Sequence, residues 1–386
     1  MLNDRSSLLG FVTLQGAMGT LAGFIGFFVV GNDDLGSVFG FTGRMLSYAS
    51  LSALLAYALG PFVGLSGKWL MKLGFALPGV LLVSCSPTIN MMALAFGSFL
   101  GLTWSARYWL EMGSLDDAQR DGYASRSGSV AVIGGIVATL AATAFLAKTS
   151  NNSAHLYQLY GAVSLVCALV LGKRLPSAPM RRLKNPVGVL LQREFIACFP
   201  LFFLESGLLG LGGAVGAIGA AKALGSATEF GWVSTVAGFA GGVALHLTQR
   251  NRRIENRTAW LFGSCAAVAL SFLLLGASAW LPGLYVASSI LSVTAGPFLN
   301  ASENVLNQRA LDIEGELADR IVARDLVMWA MRVGSLLIFW LLASRLSSNQ
   351  MLAVGSLVLA AASMCKYFVG TGHFNAKRAS GAPGIG

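Results

Sequence analysis

Charged residues are scarce in this chain. Asp, Glu, Lys and Arg make up 11% of the 386 residues, whereas hydrophobic residues make up 55%. A soluble domain carries roughly 25% charged residues, so this composition excludes an ordinary water-soluble protein. Apolar stretches of about 20 residues recur along the chain, and each is long enough to cross a hydrocarbon core about 30 Å thick as a helix. The composition therefore predicts an all-α polytopic membrane protein.

Histidine and cysteine are also scarce, and this limits the available chemistry. The three histidines are widely spaced, and no H-E-x-x-H, Walker or Ser/His/Asp motif occurs. We therefore expect no enzyme activity, no metal site, no cofactor and no ATP-driven pump. The cysteines lie in or beside apolar segments without metal-ligand spacing, which indicates small packing residues. They are Cys85, Cys167, Cys198, Cys265 and Cys365.

Basic residues outnumber acidic residues by 27 to 17. In a soluble protein this excess would indicate a nucleic-acid partner, but here many of the basic residues lie in a connector from Lys173 to Arg193, between two similar runs of apolar segments. A second basic run, 249–257, is expected to meet the anionic inner leaflet, so we expect membrane lipids and no nucleic acid as partners. The predicted organisation is an N-terminal six-helix half over 1–172, a basic cytoplasmic connector over 173–195, a C-terminal six-helix half over 196–370 and a cytoplasmic tail over 371–386.

Each half contains six predicted spans, which gives twelve in total. They cover about 8–30, 45–65, 73–83, 92–112, 129–146 and 157–171, then 197–221, 232–247, 259–278, 284–301, 326–343 and 351–369. With both termini inside, 21 of the 27 Lys and Arg residues fall in cytoplasmic segments, four fall outside and two lie within spans. This asymmetry predicts both termini in the cytoplasm of a multi-pass protein of the bacterial inner membrane, which we expect to be a monomer.

An internal repeat relates the first span of each half. The sequence L-Q-G-A-M-G-T-L-A-G-F-I-G begins at Leu14, and L-E-S-G-L-L-G-L-G-G-A-V-G begins at Leu204. This alignment places Gln15 opposite Glu205. Repeats of this kind are typical of transporters whose site lies between the two halves.

The chain resembles the major facilitator superfamily of secondary transporters over essentially its whole length, in its six plus six helices, basic central connector and internal repeat. That family carries G-x-x-x-D-x-x-G-R-[RK] between spans 2 and 3. Here Gly60, Gly67 and Lys68 match the motif, whereas Gly64 stands in place of the acidic residue. The resemblance implies two halves that rock about a central site, with Gly60, Gly67 and Lys68 as a conformational motif. The missing acidic residue puts the usual latch between the halves in doubt.

Two further features narrow the resemblance. The G-P-x-x-G-G signature of the family's drug/proton antiporters is absent, since Gly134-Gly135 stands there without a proline. The run Arg324-Asp325, followed by Arg332, is similar to the YQGE branch of the superfamily, whose substrates are poorly defined.

Ionisable residues inside a membrane are costly, so each is a functional candidate. Glu205 in span 7 is predicted to lie near the middle of the bilayer, where it could take up and release a proton. The structural alternative is a carboxyl that braces span 7 against span 1. Arg332 in span 11 suits a carboxylate or phosphate of a substrate, or it pairs with Glu303 inside the protein.

Polar residues of spans 1, 4 and 10 complete the candidate pathway. Arg107 and Glu111 stand one turn apart on one helix face and either satisfy each other or line the site. Gln15 and Asn300 could bind a polar ligand, or they could join helices as intramembrane amides do.

These features predict a secondary active transporter that moves a small polar or amphipathic solute across the cytoplasmic membrane by alternating access, coupled to protons. The alternative is a non-transporting membrane sensor or assembly partner built on a transporter scaffold. The incomplete motif between spans 2 and 3 favours that alternative, and the intramembrane charges favour transport.

Overall fold

The computed structural model describes residues 2–32, 35–84, 88–113, 115, 117–171, 175, 177–248 and 254–375. The N-terminal half contains α1 (Leu2–Gly19), α2 (Leu21–Asn32), α3 (Leu35–Leu59), α4 (Gly67–Ser84), α5 (Ile89–Met112), α6 (Asp117–Lys148) and α7 (Ser153–Leu171). Two short helices follow, α8 (Pro186–Leu190) and α9 (Arg193–Ile196). The C-terminal half contains α10 (Phe199–Phe202), α11 (Leu209–Ala223), α12 (Ala227–Thr248), α13 (Arg257–Ala277), α14 (Leu284–Ala310), α15 (Leu317–Ala343) and α16 (Ser348–Asn375).

The predicted all-α membrane architecture is confirmed. Within the described ranges, 11 spans are long and apolar enough to cross a membrane. The 19-residue helix α7 occupies the place of the remaining predicted span. Predictions for Cys85, Lys173, Arg174 and the tail beyond Asn375 fall outside the described residues.

The first span of each half is interrupted at related places. Span 1 breaks between α1 and α2 at Thr20, whose hydroxyl donates to the Ala17 carbonyl at 2.7 Å. Span 7 begins as α10, passes through a π-helical turn over Phe203–Gly207 and continues as α11. Helical π-turns disturb the regular hydrogen-bond ladder and are frequent at functional sites. The two breaks fall in the two segments that the internal repeat aligns.

Several helices extend beyond their predicted ends. The predicted loop 114–127 is helical from Asp117, and the predicted loop between spans 10 and 11 is largely taken up by α14, which continues to Ala310, and α15, which starts at Leu317. The predicted basic turn after Gly67 forms the first turns of α4. These extensions carry polar residues that are bonded inside the protein, so hydropathy marks the end of the apolar stretch and misses the end of the helix.

The two halves pack through paired helices. Helix α3 lies against α15, and α6 lies against α12 and α14. At one end of the bundle, which we call the connector end because the connector lies there, Arg120 of α6 pairs with Asp312 at 2.5 Å and Arg257 of α13 donates to Asp121 of α6 at 2.5 Å. At the opposite end, the far end, the Phe230 ring of α12 packs on Phe24 of α2 with the centroids 5.3 Å apart. The halves therefore touch at both ends of the bundle in this conformation.

Glycine allows the closest helix contacts within a half. A Cβ atom on Gly101 of α5 would overlap the carbonyl oxygen of Ala49 in α3, and one on Gly134 of α6 would overlap the carbonyl oxygen of Thr13 in α1. Small residues at such crossings let two helix backbones approach, which is the main source of helix association in lipid.

We expect Gly101→Ala to lower the midpoint of thermal unfolding by several degrees, because the added methyl group forces α3 and α5 apart at a cost of about 1–3 kcal/mol. The matched control is Gly263→Ala in α13, where a Cβ atom meets nothing within 4 Å. The measurement is thermal unfolding of the purified protein in detergent. Equal midpoints for the two variants would contradict the close contact between α3 and α5.

Candidate functional site

Eight charged residues lie inside the bundle on helices that face the boundary between the halves. They come from α5, the π-turn, α14, α15 and α16. We call them the interior charge cluster; the basic members are Arg107, Arg324, Arg332 and Lys366, and the acidic members are Glu111, Glu205, Glu303 and Asp325. Four positive and four negative groups balance when all are ionised. Such a balance is needed where hydrocarbon cannot solvate a charge.

Arg107 and Glu111 form the ion pair that their helical spacing predicts. The Nε atom of Arg107 lies 2.5 Å from Oε1 of Glu111, and both side chains are buried. Arg107 also donates through Nη1 to Gln15 at 3.3 Å and through Nη2 to Ser127 at 3.1 Å. Gln15 in turn donates to Thr103 at 3.1 Å. Gln15 thus joins α1 to α5, which is the helix-joining alternative for an intramembrane amide.

Glu111 also reaches across to the other half. Its Oε2 atom accepts from Gln308 Nε2 at 3.0 Å and from Asn304 Nδ2 at 3.4 Å, and both donors lie on α14. The Glu111 carboxylate therefore bonds an arginine of its own half and two amides of the other half.

Glu205 lies in the π-turn, on the connector side of the straight helix α11. One carboxyl oxygen accepts a hydrogen bond from Asn307 Nδ2 of α14. The other oxygen, Oε2, is buried and has no hydrogen-bond partner within the described part of the chain. Glu303, Arg324 and Lys366 are close enough for their charges to act on this carboxyl. Glu205 therefore faces α14 and the cluster, and its hydrogen bond goes to Asn307 and not to span 1.

Arg332 and Glu303 do not pair in this conformation, contrary to one of the predicted alternatives. Arg332 donates from Nε to the Ser206 hydroxyl at 2.8 Å. Glu303 instead accepts from Lys366 Nζ at 2.5 Å. Arg332 faces the π-turn of span 7, whereas α16 lies beside α14 and brings Lys366 to Glu303.

Arg324 occupies the connector side of α15, next to α5 of the other half. Its guanidinium carbon lies 3.9 Å from the centre of the Tyr108 ring, and Nη2 lies 3.2 Å from Asp325 Oδ1. The Nε and Nη1 atoms of Arg324 are buried without an acceptor among the described residues. Arg324 is therefore held by stacking and one long ion pair, with two donors to spare.

One face of α14 carries a row of amides. Asn300, Asn304, Asn307 and Gln308 recur at helical spacing, so they share this face. Asn300 is exposed and makes no hydrogen bond within the described residues, whereas Asn307 and Gln308 are buried at 0% and 1% exposure. The sequence prediction ended span 10 at residue 301 and missed Asn307 and Gln308. The continued spacing of amides beyond 300 is the signal that could have found them.

The conformational motif lies at the connector end. Gly64 adopts a left-handed conformation with φ 67°, which favours glycine and suits its place after the short helix 60–63. The Gly67 backbone N–H donates to the Ala178 carbonyl at 2.8 Å, and Met180 N–H donates to Leu65 at 3.0 Å. The predicted motif residues Gly60, Gly67 and Lys68 thus surround a turn that binds the connector.

The same connector also binds the C-terminal half. The backbone N–H groups of Lys184 and Asn185 each donate to the Asp319 carboxylate at 2.9 Å. Lys184 Nζ bonds to Glu316 at 2.7 Å, and this bond and its charge hold the pKa of the Glu316 carboxyl below its ordinary value. The connector is therefore bonded to both halves at the end where charged pairs join them.

We expect Arg107→Met to lower stability by about 3–5 kcal/mol, because Glu111 keeps its buried charge and loses its ion pair. The double variant Arg107→Met/Glu111→Leu is expected to recover most of this loss, since no buried charge is left unpaired. Thermal unfolding in detergent measures both, with the exposed Arg345→Met as the control. A double variant that is no more stable than Arg107→Met would show that the pair is not the relevant interaction.

Similarity to known proteins is structural. No family model matches the chain, and no curated protein matches it in sequence. The major facilitator superfamily proton:xylose symporter XylE matches with a TM-score of 0.64 at 12% identity, covering 95% of this chain and 94% of that one. A transporter of the POT family matches with a TM-score of 0.61 at 12% identity, covering 96% of each chain.

The nucleoside transporter NupG matches with a TM-score of 0.58 at 17% identity, covering 97% of this chain and 99% of that one. The likeness extends over almost the full length of each of these chains, at identities that carry no information on substrate. The chain therefore has the fold of the major facilitator superfamily.

Proposed function

We propose that the protein is a secondary active transporter that moves a small polar or amphipathic solute across the cytoplasmic membrane by alternating access, with both termini in the cytoplasm. The observation that supports this most strongly is the interior charge cluster between the halves. Charged residues inside a membrane are costly, and a static scaffold gains little from eight of them. The fold matches several solved transporters, which agrees with the same proposal.

Alternating access requires contacts that open at one end while those at the other end close. At the connector end these are the pairs Arg120–Asp312 and Asp121–Arg257. They join the halves at the same end of the bundle as the incomplete motif. We infer that these pairs act as the latch that the missing acidic residue at Gly64 would otherwise supply.

The far end closes through different groups. Phe230 packs against Phe24 and Phe27 with the ring centroids 5.3 and 5.5 Å apart. Asn151, between α6 and α7, accepts from the Thr228 backbone N–H of α12 at 3.0 Å. Apolar stacking at one end and charged pairs at the other allow the two ends to be separated independently.

Glu205 is the proposed proton carrier. The pairs Arg107–Glu111, Arg324–Asp325 and Glu303–Lys366 leave Glu205 and Arg332 without an ion-pair partner among the described residues. A carboxyl in this position can take up a proton without breaking an existing pair. The charged groups around it are Glu303, Arg324 and Lys366, with Arg332 bonded to the adjacent Ser206.

We expect Glu205→Gln to abolish solute flux driven by a pH gradient in proteoliposomes, because glutamine cannot bind and release the proton. Exchange of solute at saturating concentration without a pH gradient separates loss of coupling from loss of folding, because saturation offsets any weaker binding. The matched control is Glu229→Gln, an exposed carboxyl at the start of α12. Unchanged proton-driven flux in Glu205→Gln would remove Glu205 from the coupling mechanism. Vesicles that show no flux for any solute would favour the sensor or assembly partner.

A further inference from the structure

Several buried polar atoms beside the cluster have no hydrogen-bond partner within the described residues. They include four acceptor oxygens, namely Glu205 Oε2, Asn304 Oδ1, Asn307 Oδ1 and Gln308 Oε1, and two donors, namely Arg324 Nε and Nη1. A buried polar group left unpaired costs about 1–3 kcal/mol, and more when it is charged. Native proteins therefore rarely retain several of them together without a use.

The orientation of the Asn304 and Asn307 amides is fixed by the hydrogen bonds that they donate. Asn307 donates its amide to Glu205, and Asn304 donates its amide to Glu111. Turning either amide over would bring its oxygen against a carboxylate oxygen, which is unfavourable. The free oxygens of Asn304 and Asn307 are thus set by the two glutamates, and they share one face of α14 with each other.

The free acceptors and the free donors carry opposite charge and lie in the same neighbourhood. Glu205 and Arg324 are close enough for their charges to act on each other. They do not bond directly, because Arg324 is stacked on Tyr108 and Glu205 is bonded to Asn307. Each therefore retains unused hydrogen-bonding capacity in the conformation described.

A ligand that bonds only to the free oxygens, or only to the free nitrogens of Arg324, leaves the other atoms buried and unpaired, with the same cost in free energy. A metal cation would satisfy the oxygens but leave Arg324 without an acceptor, and it would meet the charges of Arg324 and Lys366. An anion would satisfy Arg324 but leave the oxygen of Glu205 unpaired and add to its negative charge. A solute that carries both an ammonium and a carboxylate satisfies both sets.

The donors and acceptors of such a solute are of the kinds that the free atoms lack. An ammonium group has three hydrogen-bond donors and no acceptor, so it can bond to the free oxygens of Glu205 and of the amides on α14. A carboxylate accepts two parallel bonds from neighbouring guanidinium nitrogens, and Nε and Nη1 are the free nitrogens of Arg324. The net charge of the cluster is unchanged when such a solute binds.

Resting on the transport function proposed above, we propose that the substrate is a small zwitterion of the amino-acid class. Its ammonium binds Glu205 Oε2 and the free amide oxygens of α14, and its carboxylate binds Arg324. The contacts bring α14 and the π-turn of span 7 together with α15, so the solute is held where span 7 departs from regular helix. Arg332 is bonded to the neighbouring Ser206, and its charge acts on both Arg324 and Glu205.

The test is a thermal-shift and equilibrium-binding screen of the full-length protein in detergent against the twenty standard amino acids. For each amino acid that stabilises the protein, two analogues are measured at the same concentrations: the amine that lacks the carboxylate and the acid that lacks the ammonium. We expect the zwitterion to raise the unfolding midpoint by several degrees and each analogue to bind at least about tenfold more weakly, since each loses a charge-assisted bond.

Variants assign the two ends of the solute. Glu205→Gln is expected to weaken binding of the zwitterion at least about tenfold and to leave the weak binding of the acid analogue unchanged. Arg324→Gln is expected to weaken binding of the zwitterion and to leave binding of the amine analogue unchanged. Glu229→Gln and Arg345→Gln are exposed controls that remove the same charges far from the cluster. The analogue comparison uses the wild-type protein, so it stands even if Arg324→Gln does not fold.

The outcomes separate this inference from the transport proposal. Binding and proton-driven flux of a neutral or singly charged solute, with no response to any amino acid, would overturn the zwitterion and leave the transporter. An analogue that binds as tightly as its parent amino acid would also overturn it, because one of the two sets of atoms would then be satisfied by water alone. Absence of binding by every solute class together with silent proteoliposomes would contradict both proposals.

Discussion

Charge inside the bundle must be neutralised by the protein, because hydrocarbon cannot solvate it. Much of this structure follows from that constraint. Arg107 is held by Glu111, Lys366 by Glu303 and Arg324 by Asp325. The helices that carry these residues are thereby fixed in rotation, since a turn of about 100° would take a charge out of its pair and into lipid. Glu205 and Arg332 lie outside these pairs, and for this reason we propose them as the groups that respond to a proton or a solute.

The same constraint explains where the backbone departs from regular helix. The internal repeat aligns Gln15 with Glu205, and each lies near the break in the first span of its half. Gln15 bonds to Arg107 of α5, and Glu205 bonds to Asn307 of α14, so the two halves repeat one contact with different chemistry. In the N-terminal half, Gln15 uses both ends of its amide, since it accepts from Arg107 and donates to Thr103. In the C-terminal half, Glu205 retains a buried carboxyl oxygen without a partner among the described residues, and this difference is why we propose that the proton site lies in the second half.

The fold and the Arg107–Glu111 pair could be predicted from the sequence, because span length and helical spacing are local properties. Arg324 lies just before the predicted start of span 11 and Lys366 lies near the predicted end of span 12, yet in the structure both lie well within helices and belong to the cluster. Asn307 and Gln308 were missed because the predicted span 10 ended at residue 301. Hydropathy cannot separate a polar residue that faces water from one that is bonded inside the bundle, so these positions required the three-dimensional arrangement. The Arg332–Glu303 pair failed for the same reason, since partner choice depends on which helices are neighbours.

The central claim is that the two halves rock about the interior charge cluster, and distances between spin labels measure this directly. In a background without native cysteines, one pair of labels at Gly122 and Glu255 spans the connector end, and a second pair at Lys148 and Lys222 spans the far end; all four positions are exposed. We expect two distance populations at each end, with the connector-end distance long when the far-end distance is short, and with their ratio shifted by bound solute and by Glu205→Gln. A single distance at each end that no solute, pH or variant changes would contradict alternating access in this protein.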